Sequence, residues 1–335
     1  MIAVIDRLRT LRAAQQPFAL CLVVHTEGSS YRKPGAVALI GEHCHEGVIS
    51  GGCLESDLEL YARQAIQAGA PRCVAFDTLG DDDLLFGSGS GCRGRMQVLI
   101  VPDTDAQRAL ADALLAADAQ HCRLELALQI DGDAVASGFA WFADHELALG
   151  GDVDGLRALK LSVPGMHEIT RTDGSVRVAR FSVPVVPRLL LMGAGPEAAP
   201  LLKIAQALGW RCLLSDHRPA TMGNLPAQPE QAFIGRPAQA LAQFSSLGID
   251  ACIVMSHTAS NDLEALRALG AHPVGYIGLL GPPMRRDELL QRLTADERTA
   301  LGDRLRAPVG LNLGGNGPEP LALSIAAQLQ QYFAG

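Results

Sequence analysis

The segment RLLLMGAGPEAAPLLKIAQALGWRCLLSD, residues 188–216, determines the fold of the second half of the chain. An apolar run is followed by a glycine turn, then by apolar residues at helical spacing, and then by a second apolar run. Further units of this kind begin at ACIVMSH (251–257) and at PVGYIGLLG (273–281), each followed by a segment with helical spacing. Alternation of strands and helices predicts a parallel sheet flanked by helices.

A glycine motif lies between the first strand and its helix. Gly193, Gly195 and Ala198 give the spacing G-x-G-x-x-A, in which two glycines permit the turn and a close backbone approach to a pyrophosphate. Asp216, 21 residues after Gly195, ends the next strand, where a carboxylate meets a ribose hydroxyl; Arg218 would favour a phosphate instead. The motif therefore predicts a Rossmann-like domain, which either binds a phosphate-containing ligand or keeps the fold without one.

The sequence changes character near residue 187, where Pro184 and Pro187 form a stiff connector. We therefore expect an α/β protein of two domains, a mixed α+β domain over residues 1–186 and the Rossmann-like domain over residues 187–335. The elements predicted in the first domain are a helix near 2–12, strands at 19–26, 37–41 and 46–50, a helix at 54–68, strands at 73–78 and 96–102, and an antiparallel sheet within 123–183.

Two glycine-rich loops each carry one cysteine. SGGCLE spans residues 50–55 and GSGCRG spans residues 89–94, which places Cys53 and Cys92 among residues with little or no side chain. The backbone there can approach a ligand closely, and the thiol is not enclosed by bulky neighbours. The loops therefore predict that both cysteines contact a ligand rather than serve only the core.

The first of these loops leads into a predicted helix. Gly51 and Gly52 precede Cys53, so the thiol stands at the positive end of that helix, where a thiolate is favoured. Such a thiolate can bind a soft metal, take part in sulfur transfer or attack an electrophile. Glu55 is either an acid–base candidate or an acidic residue that only stabilises the first turn of the helix.

A second polar loop, TEGSSYRKPGA, spans residues 26–36. Ser29, Ser30, Arg32 and Lys33 bring hydroxyls, a guanidinium and an ammonium close to glycines, which is typical of an oxyanion site. The alternative is a basic surface turn with no ligand.

Composition excludes several classes of partner. The formal net charge of −8 argues against a nucleic-acid surface, and no apolar run is long enough for a membrane span. The first residues, MIAVIDRLRT, lack the apolar core of a signal peptide, so we expect a cytoplasmic protein with reduced thiols. The sequence contains no CxxC pair, the pattern that would predict a zinc site. The HCH triplet at residues 43–45 is interpreted as a polar edge strand rather than a metal site.

Taken together, these motifs resemble the XdhC/CoxI family, the accessory proteins of xanthine dehydrogenase and related molybdenum hydroxylases. The resemblance covers nearly the whole chain. It rests on GSSYRKPGA, SGGCLE, GSGCRGRMQVLI, MGAGPEAAPL, LSDHRP, YIGLLG and APVGLNLGGNGPEPLALSIAAQL.

The resemblance implies a function. Family members are understood to bind molybdenum cofactor, to hold it while a cysteine desulfurase replaces an oxo ligand with sulfur, and to help insert it into the apo-hydroxylase. The cargo would be molybdopterin in its molybdenum form or its cytosine dinucleotide, and the protein would be a homodimer and not an oxidoreductase. The residues expected to bind it are those of the motifs above: Ser29, Ser30, Arg32, Gly51, Gly52, Cys53, Cys92, Gly193, Gly195 and Asp216.

Some residues depart from the family pattern, and two other functions stay open. Tyr31 stands where the family more usually has proline, Arg93 replaces a glycine, and SHTAS at 256–260 lacks a second histidine. The first alternative function is an NAD(P)-dependent oxidoreductase that uses the glycine motif and Asp216. The second is an adaptor that only bridges the desulfurase and the hydroxylase.

Overall fold

The structure is a computed structural model that describes residues 1–77, 94–105, 108–131, 134–171, 174–223 and 227–334. The chain divides into two compact units, Met1–Val185 and Val186–Gly335. Each unit has its own sheets and its own cores.

The first unit begins with an antiparallel sheet of five strands in the order β3-β2-β1-β5-β4. Its elements are α1 (Ile2–Ala13), β1 (Phe18–Gly28), β2 (Val37–Gly41), β3 (His45–Glu46), α2 (Glu55–Ala68), β4 (Arg72–Asp77) and β5 (Gly94–Pro102). The central strand β1 is buried on both faces. Leu20 and Leu22 pack in the core that contains α1, while Cys21 and Val23 pack in the core that contains α2. The sheet therefore separates the two helices.

A second antiparallel sheet completes this unit, with the strand order β8-β7-β6-β10-β9. Its elements are α3 (Arg108–Ala119), β6 (Leu124–Asp131), β7 (Ala134–Phe142), β8 (His145–Gly150), α4 (Val153–Ala158), β9 (Gly165–Arg171) and β10 (Gly174–Val183). Leu124, Leu126 and Leu128 alternate along β6 and pack in the same core as α1 and α3. The two sheets of the unit thus share a core.

The second unit is a parallel sheet of six strands in the order β13-β12-β11-β14-β15-β16. Counted from β11, this is the order 3-2-1-4-5-6 of dinucleotide-binding folds, with its reversal between β11 and β14. Its strands are β11 (Arg188–Met192), β12 (Arg211–Asp216), β13 (Gln231–Ile234), β14 (Ala251–Val254), β15 (Tyr276–Leu279) and β16 (Leu305–Arg306). Its helices are α5 (Ala198–Ala207), α6 (Pro219–Met222), α7 (Pro237–Phe244), α8 (Ala259–Gly270), α9 (Pro283–Gln291), α10 (Ala295–Leu301) and α11 (Pro318–Ala334).

The predicted fold class is confirmed, with one error in the first sheet. The strand predicted at residues 46–50 is wrong, because β3 ends at Glu46. Ile49 and Ser50 donate their backbone N–H groups to the carboxylate of Glu55, so these groups are not used to pair with a strand. Among the described residues, no helix combines the length and apolar character that a membrane span requires.

Candidate functional site

The first cysteine loop is organised by the residue that begins α2. The Glu55 carboxylate accepts backbone hydrogen bonds from Ser50 at 2.9 Å, from Gly52 at 2.8 Å and from Leu54 at 3.2 Å. It also accepts one from the Ser50 hydroxyl, while the Leu54 N–H donates to that same hydroxyl at 2.8 Å. One side chain therefore fixes the course of the whole loop.

These contacts determine the charge of Glu55. Burial alone would raise its pKa, but hydrogen bonds from the Ser50 side chain and from the Ser50 and Gly52 backbones outweigh burial and lower the pKa to about 2. The carboxylate is therefore ionised at neutral pH and accepts several hydrogen bonds. This arrangement favours the structural interpretation of Glu55 over a role in proton transfer.

The two glycines of the loop adopt conformations that other residues rarely take. Gly51 has φ +79° and Gly52 has φ +113°. Among the described residues beyond its two chain neighbours, none has a heavy atom within 4 Å of the position that a Cβ would occupy at Gly52. The next residue, Cys53, is half-buried and donates its thiol hydrogen to the Ser50 carbonyl oxygen at 3.3 Å. The thiol thus borders a stretch of exposed backbone.

The loop lines one pocket of the first unit together with the polar loop after β1. The residues that line it are Ser29, Ser30, Tyr31, Ser50, Cys53, Leu54, Phe76, Gly94, Arg95 and Met96. Three residues predicted from sequence, Ser29, Ser30 and Cys53, are therefore brought together.

The second cysteine motif reaches this pocket through its last residue, Gly94. A Cβ at Gly94 would lie 2.4 Å from the carbonyl oxygen of Ser29 and 2.6 Å from that of Glu27, so β5 can approach β1 here only with glycine. Cys92 and Arg93 lie outside the described residues.

The basic residues around the pocket have partners within the protein. Arg32 donates from Nε to the Val48 carbonyl oxygen at 3.1 Å, and Lys33 Nζ lies 3.4 Å from Ser30 Oγ. Arg95, which the sequence analysis did not select, lines the pocket and pairs with Asp77 at 2.7 Å. Arg95 lies opposite Glu27 on the neighbouring strand. Only the β1–β5 register of the structure reveals this position, so the sequence alone carries no signal for it.

In the second unit, the glycine motif forms the turn between β11 and α5. Gly193 has φ +129°, and a Cβ there would lie 2.3 Å from the Met255 carbonyl oxygen. At Gly195 the same atom would lie 2.8 Å from Nε2 of His257. A side chain at Gly193 would therefore meet the backbone that follows β14, whereas one at Gly195 would displace the imidazole of His257.

Asp216 lies beneath this turn with its side chain fully buried. It accepts hydrogen bonds from Ala194 N at 2.7 Å, Arg218 N at 2.8 Å, Arg218 Nε at 2.9 Å and Arg218 Nη2 at 2.7 Å. Burial alone would raise its pKa, but the Arg218 side chain, then the Ala194 and Arg218 N–H groups, outweigh burial and lower it to about 2. Four donors use the acceptor sites of one carboxylate.

A small pocket at the carboxyl ends of these strands contains Gly193 and Asp216 together with polar residues that the sequence analysis missed. Asn261 lies 2.9 Å from Nδ1 of His217, and Asp262 accepts from Ser256 Oγ at 2.5 Å. The sequence signal that could have identified Asn261 and Asp262 is their position in the first turn of α8, shortly after a buried strand.

Two further contacts between polar side chains lie at this end of the sheet. Arg285 donates to Asp262 at 2.7 Å, and Nε2 of His257 lies 3.1 Å from Glu197. His257 has φ +59°, a conformation that is uncommon for a residue with a side chain. The predicted site residues that the structure describes thus form two groups, one in each unit.

Comparison with known proteins agrees with both groups of motifs. Residues 11–77 match the model of the XdhC and CoxI family, and residues 189–329 match the XdhC Rossmann domain. Over 333 residues the chain is 29% identical to a Bacillus subtilis (strain 168) protein whose name describes it as a probable subunit of xanthine dehydrogenase, covering 97% of this chain and 96% of that protein.

Two other proteins are similar to this chain, one over about half of its length and the other over nearly all of it. The uncharacterized protein YqeB of Escherichia coli (strain K12) is 28% identical over 196 residues, which are 55% of this chain and 31% of that protein. A crystal structure described as a xanthine dehydrogenase from Bacillus halodurans is 30% identical, with a TM-score of 0.80 over 99% of this chain and 96% of that one. On this full-length similarity, the chain belongs to the XdhC and CoxI family.

Proposed function

We propose that this protein binds molybdenum cofactor, holds it while a cysteine desulfurase sulfurates it, and inserts it into the apo-form of a xanthine dehydrogenase-type hydroxylase. The cofactor is the cargo of the protein, either in its plain form or as the cytosine dinucleotide. One observation carries the proposal: Cys53, Ser29, Ser30 and the end of the second cysteine motif at Gly94 line the same pocket.

The chemistry of this pocket fits such a cargo. A cysteine sulfur is a soft donor that binds metals after losing its proton, so Cys53 can supply a sulfur ligand to molybdenum. The Ser29 and Ser30 hydroxyls can donate to a phosphate or to pterin oxygens and accept from pterin N–H groups. Gly52 carries no side chain, and the described residues around it leave its backbone open to a bulky ligand beside the thiol.

The state of the Asp216 and Glu55 carboxylates supports a carrier rather than an NAD(P)-dependent oxidoreductase. A ribose hydroxyl would have to displace Arg218 from Asp216, whose side chain is fully buried and already accepts four hydrogen bonds. Glu55 is similarly occupied, with backbone N–H groups as partners. Neither carboxylate has a pKa near neutral pH, where a general acid–base catalyst works best.

The cellular setting follows from the same proposal. The partners are the apo-hydroxylase and the desulfurase, and the transfer takes place in the cytoplasm from a homodimeric carrier. The Bacillus subtilis relative is named as a probable subunit of xanthine dehydrogenase, which supports an association of this chain with that type of enzyme.

The experiment compares two cysteines of the first unit. The parent protein, Cys53→Ala and Cys122→Ala are purified from a molybdenum-replete host, and the pterin and molybdenum released on denaturation are measured. Cys122 is the matched control, since it is also half-buried and its thiol donates to a nearby carbonyl, that of Gln120, at 3.2 Å.

We expect the parent and Cys122→Ala to carry cofactor and Cys53→Ala to lose most of it, with all three folded alike. Cys92→Ala, measured in parallel, is expected to behave like Cys53→Ala. Equal cofactor contents in Cys53→Ala and the parent would contradict a role for this thiol, and a parent free of pterin would contradict the carrier function.

A further inference from the structure

Tyr31 is an exposed aromatic residue at the mouth of the cysteine pocket. Its side chain belongs to the lining of the pocket that contains Cys53, yet the residue is 59% exposed. Tyrosine usually covers most of its ring in a folded protein, because exposed apolar surface forgoes the free energy that burial provides. A tyrosine this exposed, in a pocket that also contains a thiol, therefore offers aromatic surface to a ligand.

The ring is held in place by the cysteine loop. A Cβ at Gly51 would lie 3.2 Å from Cδ2 and 3.3 Å from Cε2 of Tyr31, so the ring rests on glycine backbone that any side chain would displace. The backbone of the next residue, Gly52, is fixed in turn by its hydrogen bond to Glu55 at 2.8 Å. The ring therefore lies against backbone that the hydrogen bond to Glu55 holds in place.

A cation lies near the same ring. The Arg32 guanidinium carbon is 5.6 Å from the ring centroid. Arg32 is itself held by its hydrogen bond to the Val48 carbonyl oxygen at 3.1 Å. The glycine backbone and the guanidinium therefore both lie beside the ring, while the residue as a whole stays 59% exposed.

We propose that Tyr31 positions the cargo by stacking its ring on a planar fused heterocycle, the pterin portion of the cofactor. The inference rests on the proposed function and adds to it the part of the cargo that this residue recognises. A fixed aromatic ring stacks on heteroaromatic ligands with little loss of conformational freedom. Stacking at Tyr31 would bring the cargo into the pocket that Cys53 also lines.

The test uses molybdenum cofactor released from a donor molybdoenzyme as the probe. It is titrated into apo-protein as the parent, Tyr31→Phe and Tyr31→Leu, with bound pterin measured after gel filtration. Tyr332→Leu is the matched control, since Tyr332 is a partly exposed tyrosine of the other unit. Thermal unfolding shows that each variant is folded.

We expect Tyr31→Phe and Tyr332→Leu to bind within about twofold of the parent, and Tyr31→Leu to bind about 10-fold more weakly. Stacking also lowers and red-shifts the pterin absorption band, and this change is expected in the parent and Tyr31→Phe but not in Tyr31→Leu. Binding and spectra that are equal in Tyr31→Leu and the parent overturn the stacking role alone. A parent that binds no cofactor overturns this inference and the proposed function together.

Discussion

The carboxylate of Glu55 lies 2.8 Å from the backbone nitrogen of Gly52 and accepts its hydrogen bond. This contact joins the first residue of α2 to the loop that carries Cys53. A glycine-rich loop would otherwise have many conformations to lose when a ligand binds. By holding the backbone on both sides of Gly51, Glu55 reduces that cost before the cargo arrives.

Replacement of Glu55 by glutamine is expected to loosen the loop. Glutamine keeps one acceptor oxygen, but its amide hydrogens would face the N–H groups that now donate to the carboxylate. We expect a loss of about 2 kcal/mol in the free energy of unfolding, the value of a charge-assisted hydrogen bond, and a lower cofactor content. Chemical denaturation and pterin release measure the two effects.

Glu59→Gln provides the control for that experiment. Glu59 lies on the same helix and contacts His45 and Arg63 near the surface. The same chemical change there is expected to alter stability by less than about 0.5 kcal/mol. Equal losses in both variants would show that Glu55 contributes only a negative charge on α2 and not the hydrogen bonds that order the loop.

Asp216 is expected to make the second unit sensitive to acid. Its pKa falls from the ordinary 3.8 to about 2 on folding, so its stabilising contribution is complete above pH 3.8. The contribution is lost as the pH falls from 3.8 towards 2, because the unfolded chain takes up the proton first.

The variant Asp216→Asn removes this titration. It is expected to be less stable than the parent at pH 7 and to show a flatter dependence of unfolding free energy on pH below 3.8. Urea denaturation at a series of pH values measures both. Identical pH dependence in variant and parent would mean that Asp216 is not ion-paired in solution.

Gly94 is expected to tolerate no side chain. In Gly94→Ala the new methyl group would lie 2.4 Å from the Ser29 carbonyl oxygen, so β1 and β5 must separate at the edge of the pocket. Such overpacking costs roughly 1–3 kcal/mol, and the cofactor content is expected to fall with it. Gly223→Ala is the control, since the nearest atom there is 3.9 Å away and φ is −74°. Unchanged stability in Gly94→Ala would contradict the close approach.

Much of the fold follows from local sequence patterns. The apolar run and glycine turn at 188–195 predict β11 and the start of the crossover, and Gly51 and Gly52 mark a loop before α2. The strand β9 went unpredicted although His167 and Ile169 alternate within it, and β16 has only two residues, too few for a periodic signal.

The sequence named several residues that line the two pockets, such as Cys53 and Asp216, but not the hydrogen bonds that hold them. The sequence places Asp216 at a strand end, yet it does not reveal that Arg218 folds back onto the carboxylate two residues earlier. That choice depends on burial, which makes an unpaired carboxylate costly. Similarly, the contact of Gly94 with Ser29 depends on strand register across residues far apart in sequence.

The most direct test of the account is a transfer measurement. The protein, loaded with molybdenum cofactor, is mixed in known amounts with an apo-hydroxylase of the xanthine dehydrogenase type, and the active hydroxylase formed is counted. We expect activation to rise in proportion to the loaded carrier and to stop when its cofactor is spent, with no consumption of NAD(P)H by the carrier alone. Oxidation of NAD(P)H with a small substrate at typical enzyme rates of roughly 1–1000 per second, in the absence of any hydroxylase, would contradict it.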